Sequence, residues 1–327
     1  MSNLFSGMSA RLRGSSGRSG RSPGPGTEGP SQPPVDSASP STPSASQALP
    51  LFNGPVSSWP RPLPAWLNRA CAKHIVKGNF MTLSARPKTV EQGEWIAHQV
   101  VEHYRVLWNF VRVILEKDDD GTSICNRSTC PKMSAGSTQS YTWPNSRHEP
   151  VELPAYEYIT LMQRWISGKV DDTNIFPTDP AGTSFAPFPQ QQNGSSGPGE
   201  PTANGSSSAP AAEDEWVGKR SGFPKDFHGI CRTMFLQMFR VYAHLYWEHF
   251  LEPFYQLNLE KQLNSCFSHF ILSATTLDML RPEDIEIMRP LIDMWAADGT
   301  LPPESKAYAF ADLDRGRDLV ELSQPAA

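Results

Sequence analysis

The strongest constraint on the fold is the spacing of apolar residues, which recur at steps of three and four positions over five long stretches. These stretches cover residues 95–115, 158–166, 227–251, 259–271 and 285–295. Such a period places the apolar side chains on one face of an α-helix. Pro154 and Pro282 stand before the second and fifth stretches, where the first turn of a helix tolerates proline. The sequence therefore predicts a mainly α protein built as a helical bundle.

Proline and glycine are concentrated outside these stretches. The 327 residues include 31 Pro and 23 Gly, and 12 of the prolines fall within residues 1–64. Segments rich in Pro, Ser and Gly bury too little apolar surface to offset the entropy lost on ordering them. We therefore expect a disordered tail at residues 1–64, a flexible low-complexity insertion at 182–222 and a flexible tail at 303–327. One helical domain remains at residues 65–302, interrupted by the insertion.

Composition and charge exclude several classes of protein. The net charge of −5 gives no basic footprint for nucleic acid. No uncharged apolar run approaches the about 20 residues that a membrane-spanning helix requires. Five cysteines, an odd number spread thinly, favour a reducing compartment over a disulfide framework. We expect a cytoplasmic protein, with the nucleus and sites of polarised growth as further locations; nothing in the sequence implies a homo-oligomer.

The region between the first and second predicted helices has a different character. It is rich in Asp, Gly, Cys and Pro and includes a short β-like run at residues 140–143, so it predicts a loop or small hairpin attached to the bundle. It also holds the pair Cys125-x4-Cys130, while the third helix holds the pair His244-x4-His249. Two thiolates and two imidazoles are a sufficient tetrahedral ligand set for zinc.

The spacing of the two pairs leaves alternatives open. Positions five apart on an ideal helix differ by about 140° in direction, so His244 and His249 can face one ion only if the helix breaks between them. The pairs could instead be two solvent-facing loop cysteines and two core histidines, or the cysteines could form a disulfide. If zinc binds, four protein ligands leave no open position for water, which favours a structural site over a zinc-dependent hydrolase. Glu248 does not stand in the HExxH arrangement of a general base.

An ordered series of motifs extends this interpretation. The sequence resembles the Mob family, which comprises the Mob kinase activators and phocein. The motifs that carry the resemblance are GEWIA at 93–97, CNRSTCPKMSAG at 125–136, YTW at 141–143, DDTNIFPT at 171–178, FP at 223–224, FRVYAHLYWEHF at 239–250 and SHF at 268–270. The resemblance covers residues 67–295 apart from the insertion, and it implies the helical bundle of that family.

The resemblance also implies a metal and a partner. In the family, the positions of Cys125, Cys130, His244 and His249 hold one structural zinc ion. Family members are non-catalytic co-activators that bind the basic N-terminal regulatory segment of NDR/LATS-type AGC kinases through an acidic, partly apolar helix face. The matching positions here are Glu91, Glu94, Trp95, His98 and Glu102. Without the resemblance, carboxylates at this spacing would be read as a solvated helix face.

The resemblance further distinguishes between classes of Mob protein. The class that binds phosphorylated partners carries three cations before the zinc histidines, whereas the aligned positions here are Gln237, Met238 and Arg240. The sequence is more similar to the second Mob type, whose kinase partner acts in cell polarity and morphogenesis. His98 and His103 depart from that type, which has apolar or small residues there. A phocein-like adaptor in a phosphatase–kinase scaffold is the alternative role within the family.

Overall fold

The computed structural model describes residues 52, 54–76, 80–178 and 215–322, and these ranges are mostly helical. The first apolar stretch forms the longest helix, and the third forms a helix that is buried over most of its length. The α-helices in these ranges are α1 (Met81–Ser84), α2 (Gln92–Leu115), α3 (Ala155–Val170), α4 (Phe227–Glu248), α5 (Glu260–Thr276), α6 (Arg289–Ala297), α7 (Lys306–Ala309) and α8 (Leu313–Leu322). Each of these helices is too short or too polar to cross a lipid bilayer.

Two short antiparallel hairpins lie between α2 and α3. Strand β1 (Ser134–Ala135) pairs with β2 (Gln139–Ser140), and β3 (Thr142–Pro144) pairs with β4 (Pro150–Glu152). The predicted β-like run is therefore shared between two hairpins, which meet at Tyr141. The backbone N–H of Tyr141 donates to the carbonyl of Met133 at 2.8 Å, and the N–H of Met133 donates to the carbonyl of Leu153 at 2.9 Å, so Met133 links the two hairpins.

The hydrophobic core lies where α2, α4 and α5 pack together. Aromatic rings of α4 and α5 fill it, with Phe235 and Tyr242 each 5.1–5.5 Å from Phe270 between ring centroids. Helix α2 contributes fully buried aliphatic side chains such as Ile96 and Val111. Burying such side chains stabilises the fold by roughly 1.5–3 kcal/mol each, so packing of these helices provides the rigid support for the residues discussed below.

Two helix boundaries explain how functional residues are placed. Glu91 caps α2, because its carboxylate accepts hydrogen bonds from the backbone N–H groups of Gly93 at 2.7 Å and Glu94 at 3.3 Å. Helix α4 ends at Glu248, and His249 leaves the helical conformation with φ −126° and ψ 3°. The fifth predicted helix begins later than expected. Residues 286–288 form a 3-10 turn and Pro290, rather than Pro282, lies in the first turn of α6.

The expected boundary of the N-terminal tail is wrong for residues 52 and 54–64. Phe52, Val56 and Trp59 are buried, and the Phe52 ring lies 4.6 Å from that of Trp59 and 5.5 Å from that of Trp247 on α4. Aromatic residues within the proline-rich segment thus supply the buried area that its average composition lacks. Residues 1–51 of the predicted tail lie outside the described residues.

The expected flexible C-terminal tail is also wrong, since α7 and α8 lie within it. Helix α8 packs on α6 at Gly316, where an added Cβ would lie 2.2 Å from the backbone oxygen of Asp293. The buried carboxylate of Asp293 accepts a 2.5 Å hydrogen bond from Arg315 Nε. These contacts order a helix whose local pattern is weak. Residues 323–327 lie outside the described ranges.

The expected insertion is wrong at its C-terminal end. Residues 215–222 form a closed turn against the start of α2, with a 3-10 turn at Lys219–Ser221. We call residues 215–223 the strap. Gly218 and Gly222 take left-handed conformations, with φ of 88° and 80°, that close this turn. Residues 182–214 of the predicted insertion lie outside the described residues.

Candidate metal centre and acidic helix face

The structure brings Cys125, Cys130, His244 and His249 together at the C-terminal end of α4. Their four potential ligand atoms all lie within 4.8 Å of one another, and all four residues are buried. Cys125 Sγ lies 3.7 Å from His244 Nε2, and Cys130 Sγ lies 3.5 Å from His249 Nε2. The cluster is thus formed by two pairs of residues that are far apart in the sequence.

The loop that carries both cysteines is shaped by its own polar side chains. Asn126 accepts from the backbone N–H groups of Ser128 and Thr129, and Thr129 Oγ1 donates to the carbonyl of Ile124 at 2.7 Å. The N–H of Cys130 then donates to Asn126 O at 2.8 Å, which closes a turn around the pair. Such Asx-type turns fold the chain tightly without regular secondary structure. Both thiols therefore point to one side of the loop.

The loop is fastened to the bundle on both sides. The N–H of Cys125 donates to the carbonyl of Ile114 in the last turn of α2 at 2.9 Å, and the N–H of Ala155, the first residue of α3, donates to the carbonyl of Cys130 at 3.1 Å. The end of α4 supplies the two imidazoles. A metal at this point would therefore join α2, α3 and α4 through one short loop.

The histidine pair is brought together by the end of the helix. His244 lies within the last turn of α4, while His249 follows the helix in a non-helical conformation. This break turns the second imidazole toward the first, so that the ring centroids are 5.0 Å apart with planes at 73°. The helix therefore ends between His244 and His249, which is the condition stated above for both imidazoles to face one ion.

The arrangement fits a tetrahedral metal ion. With zinc–sulfur and zinc–nitrogen bonds of about 2.3 and 2.05 Å, the S–N edge of a tetrahedron is about 3.5 Å, close to the separations of 3.5 and 3.7 Å observed here. The carbonyl of Ser134 lies 2.7 Å from His244 Nδ1, which as a donor leaves Nε2 unprotonated and facing the cysteines. The residues present therefore fit a closed Cys2His2 centre.

The protonation of the cysteines also suits a cation. The contact with Cys125 lowers the pKa of the Cys130 thiol to about 2, against the effect of burial and with help from the two histidines. The same contact, burial and the charge of Glu248 raise the pKa of Cys125 above the ordinary value. The two sulfurs thus favour a single negative charge between them, and a bound cation would favour the loss of the remaining proton.

The alternatives left open by the spacing are wrong in three respects. Cys125 and Cys130 are buried rather than solvent-facing, with exposed fractions of 0% and 5%. Both are also free thiols, so they form no disulfide. The two histidines are not satisfied separately in the core, because each Nε2 faces a cysteine sulfur.

The five residues predicted to contact a kinase lie in the first three turns of α2. Glu94, His98 and Glu102 are exposed at four-residue spacing, so they form one row along the helix. Trp95 is half-buried; its ring stacks on that of His98 at 5.2 Å and its Nε1 donates to the carbonyl of Ser84. Glu91 is the cap of the helix. The arrangement presents carboxylates and aromatic surface on one side.

The strap occupies the base of this row. The N–H of Gly218 donates to Glu91 Oε1 at 3.1 Å, and Ser221 Oγ donates to Glu94 Oε1 at 2.8 Å. Close approach depends on Gly93, since an added Cβ there would lie 2.6 Å from Gly218 Cα. Glu91 is thus bound by three backbone N–H groups of its own chain, whereas His98 and Glu102 lie beyond the strap.

Two of the three positions aligned above with the cations of the phosphate-binding class, Gln237 and Arg240, form an internal network here. Arg240 lies over the ring of Tyr141 at 5.2 Å from its centroid and donates to the hydroxyl of Tyr158 at 3.2 Å. That hydroxyl donates in turn to Gln237 Oε1 at 2.5 Å. The remaining arginine is thus engaged with side chains of its own domain.

Sequence reasoning missed the roles of four residues near these sites. Ser134 was not singled out and Glu248 was considered only as a general base, although Ser134 contacts both His244 and Glu248. Gly218 and Ser221, which contact Glu91 and Glu94, were assigned to the flexible insertion. Glu248 could have been found from the sequence, because a carboxylate in the last turn of a helix lies unfavourably at the negative end of the helix dipole. Such a residue needs other contacts that compensate for this cost. The contacts of the strap gave no comparable signal, because they depend on tertiary packing against Gly93.

Comparison with known proteins places this geometry in a family. The profile of the Mob1/phocein family matches residues 72–193 and 212–288. The maintenance of ploidy protein mob2 of Schizosaccharomyces pombe is 32% identical over 67% of this chain and 70% of its own length. The CBK1 kinase activator protein MOB2 of Saccharomyces cerevisiae is 32% identical over 69% of this chain and 63% of its own length.

A third relative and a more distant group complete the comparison. The CBK1 kinase activator protein MOB2 of Candida albicans is 29% identical over 71% of this chain, which spans 59% of that protein. The chain therefore matches less than two thirds of the length of the two CBK1 activators. Maintenance of ploidy protein mob1 of Schizosaccharomyces pombe is 25% identical over 66% of this chain. The chain belongs to the Mob1/phocein family, and its greater identity to proteins named mob2 confirms the resemblance to the second Mob type.

Proposed function

We propose that this protein is a non-catalytic co-activator of an NDR/LATS-type AGC serine/threonine kinase, acting in cell polarity and morphogenesis. The observation that carries the proposal is the exposed row Glu94, His98 and Glu102 beside Trp95 on α2. The names of the two relatives that activate CBK1 kinase support it. For such a role we propose the cytoplasm as the location, with the nucleus and sites of polarised growth as further locations.

The surface chemistry of α2 suits a basic helical segment. The carboxylates of Glu94 and Glu102, eight residues apart with His98 between them, can each pair with an Arg or Lys on a partner helix, while the half-buried Trp95 offers apolar area beside them. Activation would then be differential binding: the protein binds the kinase segment in its active arrangement more tightly and so increases the population of that arrangement. No chemical step by this chain is required.

We further propose that the cysteine–histidine centre holds one structural zinc ion. When bound, the metal supplies a cross-link between the cysteine loop and the end of α4. Cys125, Cys130, His244 and His249 would occupy all four positions of a tetrahedral shell, so none is left for a substrate or a reactive water. Glu248 Oε1 accepts from Ser134 Oγ and from the N–H of Gly136, both at 3.2 Å, which gives it a structural role instead of that of a base.

The docking proposal is tested by charge reversal at two ends of one helix. Full-length protein carrying Glu94→Lys should bind the basic N-terminal segment of an NDR/LATS-type kinase at least tenfold more weakly, while its melting temperature falls by only a few degrees through loss of the hydrogen bond from Ser221. Glu116→Lys, which also exchanges an exposed glutamate but at the C-cap of α2, is the matched control and should bind normally. Isothermal titration calorimetry with the kinase segment measures both.

The outcomes separate the candidate roles. Equal affinity of the two variants would overturn the assignment of the α2 row. Absence of binding to any such kinase segment by the unmodified chain would favour a phocein-like adaptor in a phosphatase–kinase scaffold. Elemental analysis of the purified chain should give one zinc per molecule, and a loaded protein with hydrolytic activity that zinc removal abolishes would favour a zinc-dependent hydrolase.

A further inference from the structure

One side of the last turn of α4 holds both a metal ligand and the turn of the first hairpin. His244, Trp247 and Glu248 are three and four residues apart, so their side chains lie on the same side of the helix. All three contact the segment Ser134 to Gly136. The imidazole of His244 meets the carbonyl of Ser134, and the carboxylate of Glu248 meets the hydroxyl of the same residue.

The hairpin turn fits closely against this helix face. Gly136 has a φ of 70°, and an added Cβ there would lie 2.7 Å from the indole ring of Trp247. Only glycine combines this conformation with so close an approach. The N–H of Gly136 donates to Glu248 Oε1 at 3.2 Å, and Ser134 Oγ donates to the same oxygen at 3.2 Å. One carboxylate oxygen therefore holds the first residue of β1 and the first residue of the turn that follows it.

The position of Glu248 is costly for the helix itself. It is the last residue of α4, and the last turn contains no basic residue. A carboxylate near the C-terminus of a helix is unfavourable by roughly 0.3–1 kcal/mol, because it faces the negative end of the dipole. The two hydrogen bonds to the hairpin compensate for this placement, which suggests that the residue acts on the hairpin rather than on the helix.

We propose that Glu248 is a positioning residue of the metal centre, which holds Ser134 so that its carbonyl fixes the orientation of His244. The chain of contacts runs from the carboxylate to the Ser134 hydroxyl, along that residue to its carbonyl, and from there to His244 Nδ1 at 2.7 Å. Partners beyond the ligands set the tautomer and orientation of a ligating imidazole in this way. The negative charge beside the cysteines also favours a dication over the empty centre.

This inference rests on the zinc-binding part of the proposed function. If the unmodified chain binds no zinc, that part fails and the inference with it. If the unmodified chain binds one zinc and the Glu248 variants retain the same affinity, only the inference fails. The two failures are therefore distinguishable in one set of measurements.

The test is the zinc affinity of the full chain, measured by competition with a chromogenic chelator. Glu248→Ala removes both the charge and the two hydrogen bonds, and it should weaken zinc binding by about tenfold or more. Glu248→Gln keeps an accepting oxygen without the charge and should show a smaller loss of about threefold. Glu252→Ala, in the exposed segment after the second histidine, is the matched control and should remain within about twofold of the unmodified chain.

A double-mutant cycle tests the path of the effect. Ser134→Ala should weaken zinc binding, and the double variant with Glu248→Ala should be no weaker than the worse single variant, because both act through one chain of contacts. Multiplicative losses would overturn the relay. Equal affinity of Glu248→Ala and Glu252→Ala would overturn the role of Glu248 altogether.

A spectroscopic measurement separates positioning from general stability. In the zinc-loaded chain, the Nδ1 proton of His244 should be visible by NMR and slow to exchange, because the Ser134 carbonyl accepts it. The exchange of this proton should accelerate at least tenfold in Glu248→Ala, while the corresponding exchange of backbone amides in α5 stays unchanged. Unchanged exchange of the imidazole proton would contradict the proposal. If Glu248→Ala does not fold, Glu248→Gln supplies the same comparison.

Discussion

Two pairs of neighbouring histidines lie inside the same domain and differ only in what surrounds them. The rings of His244 and His249 are 5.0 Å apart, and those of His103 on α2 and His269 on α5 are 4.7 Å apart. The first pair faces two cysteine sulfurs. The second pair faces aromatic rings, so its imidazoles serve as core packing. The neighbours of a histidine pair, rather than the pair itself, decide whether it can hold a metal.

The surroundings of the second pair can be stated in detail. His103 has an exposed fraction of 1% and contacts the rings of Phe235 at 5.9 Å and Phe270 at 5.3 Å. His269 stacks on Phe80 at 5.8 Å. Neither Nε2 has a hydrogen-bond partner among the described residues. Both imidazoles are therefore held neutral by burial, whereas the first pair offers its Nε2 atoms to a cation.

Removal of one ligand from the first pair's centre should have the largest effect. Cys125→Ser should abolish zinc binding and lower the stability of the chain by about 3–5 kcal/mol, because metal binding then no longer contributes to folding. For a domain of this size, that loss corresponds to a fall in melting temperature of roughly 10 °C. Calorimetry of the purified full chain, with and without a chelator, measures it.

The control for this prediction is a thiol outside the centre. Cys71 is half-buried and is not a member of the four-residue cluster, so Cys71→Ser should change the melting temperature by only a few degrees and should leave the chelator effect intact. Equal melting temperatures of the two serine variants would contradict a structural role for the metal.

The next largest effect should be a loss of folding stability in acid, caused by the two histidines of the second pair. Burial lowers the pKa of His269 to about 4, although a hydrogen bond with the backbone of Leu83 raises it, and burial together with the charges of His269 and His98 lowers the pKa of His103 well below 6.5. Because the unfolded chain takes up protons near pH 6.5 and the folded chain does not, stability is fully present above pH 6.5 and is lost as the pH falls toward 4. The expected loss from His269 is roughly 2–3 kcal/mol.

Acid also protonates the metal ligands, so the measurement must be a difference. Urea unfolding at pH 7 and pH 5 should show a smaller loss of stability for His269→Gln than for the unmodified chain, since the metal centre is the same in both. His148→Asn, which replaces an exposed histidine in the turn between β3 and β4, should follow the unmodified chain. If the stability of all three chains falls equally between pH 7 and pH 5, the second pair does not cause the loss of stability in acid.

The difference between the pairs also explains how much the sequence could predict. The spacing of Cys125, Cys130, His244 and His249 left alternatives open, and it was the family resemblance that implied one ligand set. The structure brings the four residues together and contains the helix break that the five-residue step between the histidines requires. The five predicted helices follow directly from the period of buried residues. Local pattern and tertiary role agree in these elements.

The elements that the sequence did not predict depend on contacts between distant segments. Helix α8 buries only Gly316 and Leu319, so its order comes from the close approach of Gly316 to the backbone of Asp293. The strap likewise depends on Gly93 in α2, and the segment around Trp59 depends on aromatic rings from α4. Such contacts leave no period in the sequence. The burial of His103 could not be predicted from the sequence for the same reason, since its aromatic neighbours come from α4 and α5.

The smallest predicted effect is a gain in stability from a substitution at His103, and it distinguishes the two histidine pairs most directly. His103→Leu replaces a neutral imidazole without a partner for Nε2 by an apolar side chain of similar volume, in a pocket lined by Phe235 and Phe270. Because this removes the cost of a buried polar atom, the variant should be more stable than the unmodified chain by about 1 kcal/mol at pH 7. The gain should grow at pH 5, where protonation of the unfolded chain no longer opposes folding at this position.

The same substitution in the first pair should have the opposite sign. His244→Leu removes a metal ligand and should lower stability and zinc content together, as Cys125→Ser does. Chemical denaturation of both leucine variants at pH 7, with zinc content measured on the same samples, makes the comparison. A loss of stability in His103→Leu without loss of zinc would mean that its imidazole makes a favourable contact in the core. The imidazoles of the second pair would then stabilise the core through more than packing, and the two pairs would differ only in the cysteines that lie beside the first.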